Sequence, residues 1–179
     1  MSQYKATLMD SIAVERALRR ISHEIIEKNG GADNLCIVGI KRRGVPIANI
    51  IASNIAAFEG KEVPVGVLDI TFYRDDLGKA YDEPDLKAAQ IPFDITGKTV
   101  ILVDDVLFTG RTARAAIEAV FSFGRPRSIQ LAVLIDRGHR ELPIRPDFVG
   151  KNIPTSRSEF VKVMVPEFDH AMQVVLSQR

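Results

Sequence analysis

Between residues 11 and 28 the apolar positions Val14, Leu18, Ile21 and Ile25 recur at steps of four, three and four. That spacing lines one face of an α-helix and predicts an amphipathic helix there. Asp10 or Ser11 can cap its start, and Gly30-Gly31 can end it. The same period puts Arg16, Arg20 and His23 on the opposite side, with Arg19 beside them. Residues 35–40, Leu-Cys-Ile-Val-Gly-Ile, are apolar without a break, as in a strand covered on both faces. A polar turn, Lys41-Arg42-Arg43-Gly44, precedes a predicted helix at about 46–58, with Pro46 in its first turn. Residues 63–72 and 99–106 read as two further strands, and 129–135 as a fourth. A helix is expected over 111–123 and a last strand over 160–165.

Strands that alternate with helices predict an α/β chain with a mainly parallel sheet and right-handed crossovers. Two stretches lose the pattern. Residues 73–92 are charged and broken by Gly78 and Pro84, and a loop that long inside a domain is expected to be a lid or disordered. Residues 137–158 are polar and Pro-rich without a clear period. No linker or repeat interrupts the 179 residues, so a single domain is expected over 1–179.

Composition removes several function classes. Lys and Arg total 24 against 23 Asp and Glu, which excludes a uniformly basic nucleic-acid coat. The charge is nonetheless polarised along the chain. Residues 111–157 hold nine Lys/Arg and four acids, whereas residues 61–105 hold five and ten. One cysteine, Cys36, allows no internal disulfide and no cysteine-based zinc site; in a strand it reads as a small core residue. No apolar run approaches a bilayer span. The opening residues lack a signal-peptide core. A cytoplasmic protein without membrane partners is the expectation.

The chemistry gathers where predicted strands end, the usual ligand edge of a parallel sheet. Residues 100–112 run Val-Ile-Leu-Val-Asp-Asp-Val-Leu-Phe-Thr-Gly-Arg-Thr. A buried strand therefore ends in two carboxylates, and a Thr-Gly turn opens a helix. The free N–H groups and positive dipole end of that helix suit a phosphate, and the Thr109 and Thr112 hydroxyls can add donors. Asp104 and Asp105 would repel the phosphate, so they are expected to accept hydrogen bonds from vicinal sugar hydroxyls. A ribose 5-phosphate matches both demands. The basic turn at residues 41–44 has the composition that lets backbone N–H groups approach an anion. The Gly-x4-Gly-Lys-Ser/Thr loop of nucleotide hydrolases is absent.

Residues 100–112 resemble the phosphoribosyl-pyrophosphate (PRPP) loop of the type I phosphoribosyltransferases, and Lys41-Arg42-Arg43-Gly44 resembles their pyrophosphate loop. Residues 69–77 (Asp-Ile-Thr-Phe-Tyr-Arg-Asp-Asp-Leu), 136–144 (Asp-Arg-Gly-His-Arg-Glu-Leu-Pro-Ile) and 149–156 (Val-Gly-Lys-Asn-Ile-Pro-Thr-Ser) are similar to one branch of that family. This branch comprises the bacterial attenuation regulators of pyrimidine operons, which also act as uracil phosphoribosyltransferases. The likeness runs from about Asp10 to Val165. It implies the type I fold, with a small hood at roughly 137–158 plus the N-terminal segment and a lid at 73–92. It also implies pentosyl transfer from PRPP to uracil, giving UMP and pyrophosphate, with Mg²⁺ carried by PRPP and no protein metal site. Catalytic roles fall to Asp104, Asp105, Lys41 and Arg42. The PRPP/UMP seat would comprise Lys41, Arg42, Arg43, Gly44, Val103, Asp104, Asp105, Val106, Leu107, Phe108, Thr109, Gly110, Arg111 and Thr112. Arg137, Phe160 and Val161 would flank the uracil. Phe108 stands where purine-using relatives carry a third acid, which argues for a pyrimidine. No general base stands out.

The resemblance further implies binding of pyr leader mRNA with UMP or UTP, through Arg20, His23, His139, Arg140, Arg145 and Lys151. It also implies a homodimer or higher homo-oligomer. Ile47, Ile50 and Ile51 suit either an interface or the core. A plain pyrimidine-salvage transferase that binds no RNA is the alternative reading.

Overall fold

The computed structural model describes residues 3–71 and 90–178. Five strands form one sheet: β2 (Leu35–Ile40), β3 (Val65–Leu68), β4 (Thr99–Leu107), β5 (Ser128–Asp136) and β6 (Phe148–Asn152). Their order is β3-β2-β4-β5-β6 and every pair is parallel. The α/β class read from the chain is the one observed. Helices α1 (Ser11–Asn29) and α2 (Gly44–Glu59) cover one face and α3 (Arg111–Val120) the other. The unbroken apolar runs follow from this double cover. Ile37, Ile101 and Val103 pack under α1 and α2, while Val38, Val100 and Leu102 pack under α3. Successive side chains leave a strand on opposite faces, so both sets must be apolar.

Local signals account for the helix ends. The Asp10 carboxylate accepts from the Ala13 N–H at 2.8 Å, and Gly30 ends α1 with φ of 65°. Helix α3 stops at Val120, three residues before the expected end. The Ser122 and Phe123 N–H groups bond back to Ala119 and Val120, a tighter turn that breaks the α register ahead of Gly124. Ile47 and Ile51 are buried and Ile50 packs against them, so these positions belong to the core.

Three expectations change. Strand β3 is four residues long, not ten: Pro64 delays its start, and Asp69 folds back onto the Thr71 N–H and hydroxyl just after it. The expected lid at 73–92 lies outside the described residues except for its last three. Residues 137–158, expected in the hood, instead contribute β6 to the edge of the main sheet. Its exposed Lys151 and Asn152 hide it from a periodicity reading. The residues expected to form a last strand make β7 (Glu159–Met164) of a separate antiparallel sheet, ordered β1-β8-β7. Its other strands are β1 (Gln3–Met9) and β8 (Gln173–Gln178), and the short helix α4 (Pro166–Asp169) joins β7 to β8. Pairing of β1 with β8 shifts register twice, which blurs alternation in both. Among the described residues, no helix is long and apolar enough to cross a membrane.

Candidate functional site

Parallel pairing of β2 with β4 sets Gly39 opposite Val103, so the turns that leave these two strands lie side by side. Contact is close because residue 44 is glycine. A Cβ there would sit 2.5 Å from the Val103 carbonyl oxygen and 3.2 Å from Asp104 Cα. The Lys41–Arg42 peptide in this turn is cis, and the Lys41 N–H bonds to the Leu68 carbonyl at 2.8 Å. Together the turns and the end of β3 enclose a cavity of about 320 Å³. Its described lining is Lys41, Arg42, Arg43, Asp69, Ile70, Thr71, Asp104, Asp105, Val106 and Thr112. Three cations therefore face three carboxylates across one space.

The acids are held by the backbone that follows them. One Asp104 carboxylate oxygen accepts from the Asp105 N–H at 2.9 Å, and Asp105 accepts from the Val106 N–H at 2.8 Å. Burial pushes the Asp105 carboxyl above its ordinary range, against the pull of the Asp104 contact, the Val106 N–H and the Arg43 charge. Beyond them Gly110 takes φ of 94°, a conformation costly for other residues, and α3 begins with no side-chain cap. The Arg111 N–H leans on the Thr109 hydroxyl at 3.3 Å. With Thr112 on the cavity wall, the first turn of α3 has the make-up of an anion seat.

The other expected ligand residues divide by role. The Val103 and Leu107 side chains are buried in the two core clusters and anchor β4. Arg111 pairs with Glu141 at 3.0 Å. Phe108 lies beneath Arg137, whose guanidinium carbon is 4.0 Å from the ring centroid. Arg137 is itself buried, donating to the Thr155 hydroxyl and the Ser156 carbonyl, and burial lowers its pKa. Arg137, Phe160 and Val161 lie outside the described lining of the cavity. Val161 packs against the core from the small sheet. Asp69, Ile70 and Thr71 line the cavity, yet the sequence reading used them only to recognise the motif. Reading residues 63–72 as one strand hid their place, and the Asp69 carboxylate within that run was the available signal. Cys36 is buried and burial raises its thiol to about 11, which suits a core role.

Two residues expected to meet RNA turn inward. Arg140 donates from Nε to the Ile144 carbonyl, from Nη1 to the Phe108 carbonyl and from Nη2 to Asp136, each at 2.7 Å. His139 Nε2 meets the Thr155 carbonyl at 2.5 Å. A carboxylate and three backbone carbonyls nearby satisfy both side chains better than solvent would. Arg140 thus braces the turn between β4 and α3. Replacing it with Gln should cost about 2 kcal/mol of stability and lower affinity for whatever anion that turn holds by about tenfold. Thermal melts and ligand titration of Arg140→Gln check this; an unchanged melt with weakened RNA binding would restore the surface role.

Of the remaining basic residues, Arg20 and Lys151 meet where α1 passes β6. Arg20 is exposed and donates to the Val149 and Gly150 carbonyls, directly beside Lys151. Lys151 is exposed and reaches the Leu8 carbonyl at 3.4 Å. His23 stacks on Phe58 with ring centroids 3.9 Å apart, and Arg145 is exposed ahead of β6.

A phosphoribosyl transferase domain matches residues 6–168. The bifunctional protein PyrR of Thermus thermophilus is 62% identical over 177 residues, covering 99% of this chain and 98% of that one. The bifunctional protein PyrR of Caldicellulosiruptor bescii is 60% identical over 178 residues, covering 99% and 97%. Among solved structures, a hypoxanthine phosphoribosyltransferase of Trypanosoma cruzi superposes with a TM-score of 0.77 over 98% of this chain and 96% of that one. That of Staphylococcus aureus gives 0.70 over 97% and 92%. At 19% and 20% identity these two speak for the fold alone.

Proposed function

The chain belongs to the PyrR family of phosphoribosyl transferases, and from that premise we propose two activities: transfer of phosphoribose from PRPP to uracil, and UMP-dependent binding of pyr leader mRNA that promotes termination. One observation carries the first activity. Gly44 lets the cationic turn touch the strand that bears the paired acids, so opposite charges line one cavity.

The ligand is divided between the two turns. The 5-phosphate takes the N–H groups at the start of α3 and the Thr112 hydroxyl. The 2′- and 3′-hydroxyls donate to Asp104 and Asp105, whose negative charge opposes the positive charge that develops at C1′. Lys41, Arg42 and Arg43 take the pyrophosphate as it leaves with its full charge. Arg137, Phe160 and Val161 remain the candidates beside the uracil. Among the described residues there is no cluster of three metal-ligating side chains. A Mg²⁺ would be held chiefly by PRPP and water, with Asp69, Asp104 and Asp105 as the carboxylates on the cavity wall. When bound, the ion would neutralise pyrophosphate charge.

For RNA, the basic candidates are Arg20 and Lys151, where α1 passes β6, with His23 and Arg145. Few aromatics accompany them, which favours recognition of phosphates and splayed loop bases over a stacking platform. The work would be done in the cytoplasm, on nascent mRNA, by a homo-oligomer. If four to six phosphates are contacted, affinity should fall by about 0.7–0.9 log units per contact for each tenfold rise in salt. Lys151→Gln should reduce that slope by about one contact while uracil transfer persists. Equal loss of both activities would contradict separate surfaces. The deciding experiment titrates pyr leader RNA with and without UMP while measuring uracil-plus-PRPP turnover. UMP should tighten RNA binding, and RNA should tighten UMP binding by the same factor. Turnover without RNA binding would leave a salvage enzyme.

A further inference from the structure

We propose that Asp169, with Phe168 beside it, is a positioning residue for the basic turn, holding Arg43 and Arg42 from behind so that they face the pyrophosphate group of PRPP. The inference rests on reading that turn as the pyrophosphate seat. The two residues close α4, far along the chain from the turn they meet. Arg43 Nη2 donates to both Asp169 oxygens, at 3.1 and 3.2 Å. Lys162 reaches the same carboxylate at 2.8 Å, and the Val165 N–H donates to it at 3.1 Å. The Asp169 side chain is only 6% exposed and lies outside the described lining of the cavity. The Phe168 ring lies under both guanidiniums, 4.2 Å from that of Arg42 and 5.9 Å from that of Arg43.

The arrangement answers a physical difficulty. Lys41, Arg42 and Arg43 are consecutive cations that repel one another. Inside the cavity Asp69 lies 3.9 Å from Lys41, and a carboxylate seated there against Arg43 would compete with pyrophosphate. Placed behind the turn, Asp169 supplies the opposing charge and fixes Arg43 without occupying the seat. Burial alone would lift its carboxyl, yet Lys162, the Val165 N–H and Arg43 together hold it well below the usual carboxylate range, so it stays ionised. Lys162 sits on β7 next to Val161, which ties the small sheet to the pyrophosphate side through a single carboxylate.

Asp169→Asn keeps the shape, and can keep the Val165 bond, but turns an N–H group or a weaker acceptor toward the cations. The KM for PRPP and the inhibition constant for pyrophosphate should both rise about five- to tenfold. The Kd for UMP, which carries no pyrophosphate, should stay within about twofold of wild type. Asp169→Glu should recover part of the loss, and Asp169→Asn added to Arg43→Gln should cost little more than Arg43→Gln alone. Unchanged PRPP and pyrophosphate constants would overturn the proposal, as would an equal loss of UMP affinity, the mark of a general structural defect. If Asp169→Asn does not fold, Phe168→Leu at the exposed ring reads the same split. Wild-type protein that binds UMP but no pyrophosphate would overturn the reading beneath the proposal, a result distinct from a variant that behaves like wild type.

Discussion

Asp104→Asn combined with Asp105→Asn is expected to lower kcat/KM for UMP formation by about a thousandfold or more, equivalent to about 4 kcal/mol of transition-state stabilisation. The asparagines preserve volume, and each keeps a carbonyl for the backbone N–H that now bonds its carboxylate. What they remove is negative charge beside a ribose ring whose C1′ becomes positive as pyrophosphate departs. Initial rates across subsaturating PRPP, with uracil saturating, measure the effect, and a near-normal kcat/KM would reject the ribose assignment. Stability should move the other way for the single variant Asp105→Asn. Burial raises the Asp105 carboxyl, so ionising it in the folded chain costs stability. That cost is fully present above the raised pKa and vanishes as pH falls toward the ordinary carboxylate range. Asp105→Asn should therefore be more stable at pH 7, by about 0.5–2 kcal/mol, and the advantage should close on acidification. Residues held at a cost to stability are common where chemistry demands them.

Gly44→Ala is the second large effect. The added methyl would lie 2.5 Å from the Val103 carbonyl oxygen and 3.3 Å from its carbon. These are backbone atoms in the central strand, with β2 on one side and β5 on the other, so they cannot yield as a side-chain tip would. The turn must move instead. Overpacking of this kind costs about 1–3 kcal/mol, and a shift approaching 1 Å at the pyrophosphate seat should cut transfer about a hundredfold. Gly60→Ala serves as the comparison. Gly60 has φ of 65° with nothing within 4 Å of the new methyl, at the far end of α2. It should lose about 1 kcal/mol through backbone strain alone and keep its turnover. Parallel melts and rates of the two variants separate a misplaced turn from a weakened fold.

Much of this site was legible because its two halves are local. The carboxylates end an apolar strand and precede a Thr-Gly turn, and the basic turn ends another; β2 and β4 were each located to within a residue for the same reason. The adjacency of those strands was not written locally, since residues 41–98, with α2 and β3 among them, intervene. Elements that expose half their surface were harder to see. Strand β6 presents only Phe148 as a fully buried residue, and β8 lies in a tail whose partner β1 is bulged. The inward course of Arg140 depends on carbonyl oxygens of Phe108 and Ile144. Every residue carries a carbonyl, so nothing in the side-chain pattern distinguished this arginine from a solvated one. Asp169 was missed for the opposite reason: an acid in an undistinguished tail gains its meaning only when Arg43 folds against it.

The most direct test is a crystal structure with UMP bound. The phosphate should lie against the N–H groups at the start of α3, near Thr112, and both ribose hydroxyls should donate to Asp104 and Asp105. UMP seated elsewhere, with the cleft between the two turns vacant, would contradict the account at its root.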